Sequence, residues 1–462
     1  MTTLWAKQVL TSGGWRQNVR LTIGDDGTIS ALAFDTKPQG EPQGKRFDIL
    51  LPAPTNTHSH AFQRAMAGLS ESRGPDRKED PQDSFWTWRD IMYRFVGQLT
   101  PDDIEAIAAY LYMEMLEAGF ASVTEFHYLH HQNGGQVYDN IAEMAQRIGA
   151  AAHISGIGLT LLPVLYTQGG CDGRPLQGGQ LRFGNSRDQY AALFEASKTA
   201  LAHLPADCVL GAAAHSLRAV TPEDLSFVAG LDPDAPFHIH IAEQTGEVEE
   251  ALSHLGQRPV DWLLNHYDVD ERWCLIHATQ MTANETKALA KSSAVVGLCP
   301  ITESSLGDGI FPARAYLGSG GLFSIGSDSN VRISLAEELR TLEYSQRLKH
   351  RERAVLATSE HSTGRVLWQG AAKGGAQASG RDNGEIAVGK LADLVALDRD
   401  APDLIGKIGD TLLDSFIFSG SSTMITDVWS AGRHVVRGGS HIKRGKITAR
   451  YKKTILSLMQ RL

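Results

Sequence analysis

Eight short apolar runs, at residues 47–57, 120–128, 152–162, 207–215, 236–242, 272–278, 294–299 and 322–328, dominate the middle of this chain, and nearly every one ends in a polar or ionisable side chain. Helical stretches separate them. The segment after Leu99 shows the pattern: Thr100 stands where an N-cap belongs, Pro101 at the first helical position, and Asp102 and Asp103 where they favour the helix dipole. Ile104, Ile107, Ala108, Leu111 and Met115 then recur at helical spacing, and Gly119 ends the element. Strands alternating with helices predict a parallel sheet, and eight of them predict an α/β fold of the (β/α)8 TIM-like barrel type. In such a barrel, reactive groups gather at the C-terminal ends of the strands. Those ends carry His58 and His60, Tyr128, His215, His240 with Glu243, His277, Thr302 and Asp328.

The flanks read differently. Residues 3–34 alternate apolar and polar around a turn at Asp25-Asp26-Gly27, and 386–398 and 426–445 have the same strand-and-turn character. The expected organisation is therefore a small β-sandwich domain built from both termini, residues 1–48 and 381–462 (with a tail), around a barrel spanning 49–380. The 462 residues suffice for both. A net charge of −9 argues against a nucleic-acid partner, which needs clustered Lys and Arg. Cys171, Cys208, Cys274 and Cys299 are scattered, with no C-x-x-C pair, and read as reduced thiols. No run of about 18 or more apolar residues occurs and the N-terminus has no apolar signal core, so a cytoplasmic protein with no membrane partner is expected.

His58 and His60 point to one face at a strand end, because residues i and i+2 of a strand share a side, so both imidazoles can meet one ion at about 2.0–2.1 Å. Two polar residues at a strand-to-loop transition would read the same. Phe237-His238-Ile239-His240-Ile241-Ala242-Glu243, Ile276-His277-Ala278 and Gly326-Ser327-Asp328 add nitrogens and carboxylates on other strands. Together these suit a zinc site that keeps one position for water. Spacing alone leaves His238 and His240 as alternatives. His127, His130 and His131 are read as solvated loop histidines, and Cys274 and Cys299 as core.

This pattern (H-x-H after the first strand, His and then Glu three later on the fifth, His after the sixth, Asp after the eighth) resembles the amidohydrolase superfamily. GEIAVGKLADLVALD and VWSAGRHV are similar to that superfamily's C-terminal strands. The resemblance implies one zinc ion, or another divalent metal such as iron or manganese, on His58, His60, His240 and Asp328. It selects His240 over His238, and no bridging lysine suggests a second metal. It further implies that Asp328 accepts a proton from water, that His277 orients the water, and that Glu243 shuttles protons to the departing nitrogen.

Asn56 to Gly68, Phe85-Trp86-Thr87-Trp88-Arg89 and Ala214-His215-Ser216-Leu217-Arg218 resemble one branch of that superfamily, the formimidoylglutamate deiminase family. Its reaction converts N-formimino-L-glutamate and water to N-formyl-L-glutamate and ammonia in L-histidine degradation. The resemblance implies a substrate pocket of Gln63, Arg89, Tyr128, His215 and Arg218, and a homodimer. A dicarboxylate substrate wants fixed guanidinium groups, which match carboxylates in a bidentate fork. Arg89, read as lying in an aromatic-rich loop, could equally be a surface arginine stacked on Trp86 or Trp88, and Arg64 reads as structural. Competing readings are a deaminase of guanine or cytosine, a shorter formimino acid as substrate, and a barrel that has lost its chemistry. The Gly-rich stretch 168–186 is expected to be a long loop after the third strand and a candidate lid.

Overall fold

The computed structural model describes residues 1–38, 45–71 and 85–462, with backbone alone at 85–87 and 90. Eight parallel strands close into a barrel: Thr55–Ser59, Ser122–His127, Gly158–Leu165, Ala212–Ser216, Phe237–Ile241, Trp273–His277, Val295–Leu298 and Leu322–Ile325. Closure comes from Ile325 pairing with Asn56, while Ser122–His127 pairs with both of its neighbours. Helices cover the outside. The helix Pro101–Glu117 starts as its sequence predicts, with Thr100 and Asp103 capping each other reciprocally.

Two strand readings are corrected. The run 47–57 is two elements: Arg46–Pro52 belongs to a separate sheet, and the barrel strand begins at Thr55 after Pro54. Proline has no N–H to give a ladder, so the break falls there. The run 152–162 begins inside a helix, Glu143–Ser155, whose alanines favour that state and which Gly156 ends at a φ of 78°. The strand starts only at Gly158. A third element was not read at all: Phe85–Val96 is a helix, so Arg89 stands on a helix and not in a loop.

The second sheet has eight strands in the order Ser440–His441, Arg433–Arg437, Ile425–Ser430, Leu394–Leu397, Arg46–Pro52, Thr2–Thr11, Gly14–Ile23, Ile29–Ala33, so both ends of the chain build it. Alternation assigns its faces. Leu50, Leu394 and Ala396 join Leu4, Leu21 and Trp429 in a core of their own. Ile49, Leu51, Val395 and Leu397 face the other way, into the barrel's core. Arg381, fully buried, ties the two parts together through Asp207 at 3.0 Å and Asp393 at 3.3 Å, and Arg433 adds 2.6 and 2.8 Å contacts to Asp207. A last helix, Arg444–Met459, returns to the barrel, where Tyr451 stacks on Tyr110 with ring centres 3.9 Å apart. Among the described residues no helix is long and apolar enough to cross a membrane.

Candidate active site and metal centre

The C-terminal end of the barrel holds the expected groups at close quarters. One ligand atom each from His58, His240, His277 and Asp328 lies within 4.8 Å of all the others. His58 Nε2 and His240 Nε2 are 3.0 Å apart, and His58 Nε2 is 3.5 Å from Asp328 Oδ1. His60 Nε2 reaches the same Oδ1 at 3.1 Å. Two of these rings are held by backbone: His60 Nδ1 donates to Phe126 O at 3.1 Å and His240 Nδ1 to His215 O at 2.8 Å. Their Nε2 lone pairs therefore face inward. Burial pushes His58 down to about 3 and His240 well below the ordinary histidine value, which leaves neutral nitrogens beside a carboxylate. Burial opposes ionisation of Asp328, but the His58 and His60 imidazoles beside it outweigh burial and hold the acid well below its usual range. Neutral imidazoles converging on one carboxylate are a donor set that fits a divalent cation.

The backbone is shaped to make this convergence. Asp328 N donates to His58 O at 2.9 Å and His60 N to Asp328 O at 3.0 Å, which laces the first and last strand ends together. A Cβ on Gly326 would come within 2.9 Å of three His58 atoms, so only glycine permits that approach. Ala242, His277 and Asp328 carry φ values of 48°, 69° and 46°, the left-handed region that costs a side-chain-bearing residue energy. Glu247 supports the first of these turns, accepting from Ala242 N at 3.1 Å and Glu243 N at 2.9 Å.

Beside the donor set stand Glu243 and His277, with Glu243 Oε1 at 3.7 Å from His277 Nε2. Burial is the main cause that pushes Glu243 up to about 7. Burial acts in the opposite sense on His277, but Glu243 and Glu303 outweigh it and raise the imidazole well above its ordinary value. The cleft above is lined by His60, His240, Glu243, His277 and Asp328, and also by Gln63, Arg89, Tyr128, His215 and Arg218. Every substrate-side residue expected from sequence thus opens on one space. His58 lies beneath it. Gln63 Nε2 donates to Tyr128 Oη at 2.9 Å, and the Arg89 guanidinium lies over Tyr93 at 5.7 Å. The Trp86 side chain is outside the described residues.

Other expectations resolve as follows. His238 is buried and bonds Ala378 O at 2.7 Å, behind the barrel wall. Arg64 pairs with Glu114 at 2.6 Å. His127, His130 and His131 are not solvated: all are buried, His130 against Val164 O and His131 against Gly184 O and Asn185 Oδ1. The stretch 168–186 ends in a 3-10 turn, Gly178–Arg182, whose buried Arg182 donates to His131 O and Leu99 O, and Phe183 lines the cleft. Sequence reading missed three buried acids near the site. Glu125 accepts from Ala61 N at 2.6 Å and Tyr112 Oη at 3.1 Å, Asp308 lies within 4.8 Å of Glu243 and His277, and Glu303 meets His277 Nδ1 at 3.2 Å. Only the acidic residues that follow the seventh run, at 303 and 308, could have hinted at them.

A parallel barrel with a donor set that fits a divalent cation and a buried Glu–His pair at its mouth has the layout of a metal-dependent hydrolase, and this chain belongs to the amidohydrolase family, whose model matches residues 49–435. A second model, for the N-terminal domain of the formimidoylglutamate deiminase HutF, matches residues 1–44. A formimidoylglutamate deiminase from Pseudomonas aeruginosa is 48% identical over 444 residues, 96% of each chain, and the chain belongs with that family. The crystal structure of an amidohydrolase from Brucella melitensis superposes with a TM-score of 0.94 at 47% identity, over 99% of this chain and 100% of that one. An adenosine deaminase from Xanthomonas campestris with bound zinc shares the fold, with a TM-score of 0.81 at 20% identity over 99% and 98% of the two chains.

Proposed function

We propose that this protein hydrolyses N-formimino-L-glutamate to N-formyl-L-glutamate and ammonia, a step of L-histidine degradation, with one zinc ion on His58, His60, His240 and Asp328. The observation that carries the reading is that Arg89 and Arg218 line the same cleft as the donor set, so a dicarboxylate can be gripped while its formimino carbon reaches the centre. The family relationship to formimidoylglutamate deiminase supports it.

A divalent ion held there supplies Lewis acidity, which makes water a usable nucleophile near neutral pH. The protein's own groups do the rest. Arg89 and Arg218 bind the two carboxylates, and Gln63, Tyr128 and His215 orient the substrate. Asp328, kept ionised by its histidine neighbours, accepts a proton from the attacking water, whose oxygen His277 positions. Glu243, poised at about 7, carries protons to the terminal nitrogen. A C–O bond forms, the C–N bond breaks, and the nitrogen leaves as ammonia.

The test is ammonia release by the zinc-loaded protein from N-formimino-L-glutamate, with guanine and cytosine alongside. Selective turnover of the formimino compound is expected. Glu243→Gln should keep its zinc and lose about 10²–10⁴-fold in kcat. Release from a base and none from the formimino compound would discard the substrate assignment.

A further inference from the structure

The two ring nitrogens of His277 have different surroundings. Nε2 looks into the cleft, 3.7 Å from Glu243 Oε1 and 3.8 Å from Asp328 Oδ2, beyond hydrogen-bond reach of both. Nδ1 lies 3.2 Å from Glu303 Oε1. That oxygen also accepts the Cys299 amide at 2.8 Å, so the carboxylate is anchored by backbone independently of the histidine. Glu303 is 5% exposed, stands on the first turn of the helix Pro300–Leu306, and does not line the cleft.

A half-turn of an imidazole about its Cβ–Cγ bond exchanges ring edges at almost no change in shape. Packing alone therefore holds the orientation weakly, and a fixed acceptor on one side decides it. We infer that Glu303 is a positioning residue for the reaction: by accepting the Nδ1 proton of His277 it fixes which ring nitrogen faces the substrate. The inference rests on the role given to His277 above. Glu303 touches neither the substrate cleft nor the expected metal ligands, so its effect must pass through the histidine.

Three variants of the zinc-loaded full chain test this. Glu303→Leu removes the acceptor. Glu303→Asp keeps the charge but withdraws the oxygen by one methylene, and serves if the leucine variant does not fold. Glu303→Gln keeps an oxygen that can accept from both Cys299 N and His277 Nδ1. Each is assayed for zinc content, for kcat and KM on N-formimino-L-glutamate, and by nitrogen-15 histidine NMR, with the His277 signal identified by its loss in His277→Gln. Expected are a kcat lower by about 10–100-fold in Glu303→Leu and Glu303→Asp, with KM and zinc unchanged and the Nδ1-bound proton no longer held. Glu303→Gln should keep that proton and stay within a few-fold of the parent. Parental kcat in the first two variants, a kcat loss matching a loss of zinc, or a glutamine variant as slow as the others with its Nδ1 proton intact would each overturn the inference. If the parent itself releases no ammonia, the functional reading fails, while the NMR comparison still decides whether Glu303 orients the ring.

Discussion

Arg218 is 7% exposed and opens on the cleft, so a carboxylate bound there exchanges water for a charge-assisted contact in a largely dry setting. Replacing it with methionine keeps much of the volume and removes the charge. Arg218→Met should raise KM for N-formimino-L-glutamate about 10–100-fold, from the ~1.5–3 kcal/mol typical of hydrogen bonds to charged groups, and leave zinc content alone. Unchanged kinetics would mean that the carboxylates bind elsewhere. Residues such as His60, His277 and Asp328 were legible because a barrel strand delivers its last side chains to one mouth, and an ionisable residue at the end of an apolar run stands out, whereas Arg218 and the choice of His240 over His238 came from the family resemblance. Glu303 and Glu125 were not legible. Each acts on a residue far away in sequence, and a lone buried glutamate looks like any other glutamate until its partner is in place. His130 and His131 misled for the same reason: they look like solvated loop residues, but their partners are Val164 on the third barrel strand and Gly184 and Asn185 in the connection after it.

Elements whose rules are local were the most readable. For Pro101–Glu117 the start signals agree with the structure: Thr100 Oγ1 accepts from Asp103 N at 3.3 Å, and the Asp103 carboxylate accepts from Thr100 N at 3.0 Å. Thr100→Ala removes half of that pair and should cost about 1 kcal/mol, read as a lower urea midpoint at unchanged slope. A midpoint equal to the parent's would show that the tertiary contacts of the helix carry its first turn. The helix Phe85–Val96 was missed because its aromatic residues have middling helix propensity and no capping signal was read ahead of them. The run 47–57 was misread because continuous apolar character does not reveal that a chain passes from one sheet into another.

At the scale of the whole molecule, Arg381 is the joint between barrel and small sheet. Arg381→Met would leave Asp393 and part of Asp207 buried without their cation, at a cost of about 3–5 kcal/mol. Asp207 resists burial's upward push because Arg433 and Arg381 hold it below the ordinary 3.8. A carboxylate with a lowered native value stabilises fully above its unfolded value and loses that contribution as pH falls through the native one. The difference in melting temperature between parent and variant should therefore be full at neutral pH and narrow in acid below 3.8. A difference independent of pH would assign the loss to packing. The same small sheet has a consequence for biosynthesis. Its strand Arg46–Pro52 has Thr2–Thr11 along one edge, made early, but its other edge pairs with Leu394–Leu397, at the far end of the chain. During translation at roughly 5–20 residues per second, that apolar edge waits on the order of tens of seconds for a partner still inside the ribosome. The nascent chain thus carries an open strand edge throughout the making of the barrel, and chaperone demand should fall on this interval more than on the catalytic domain itself.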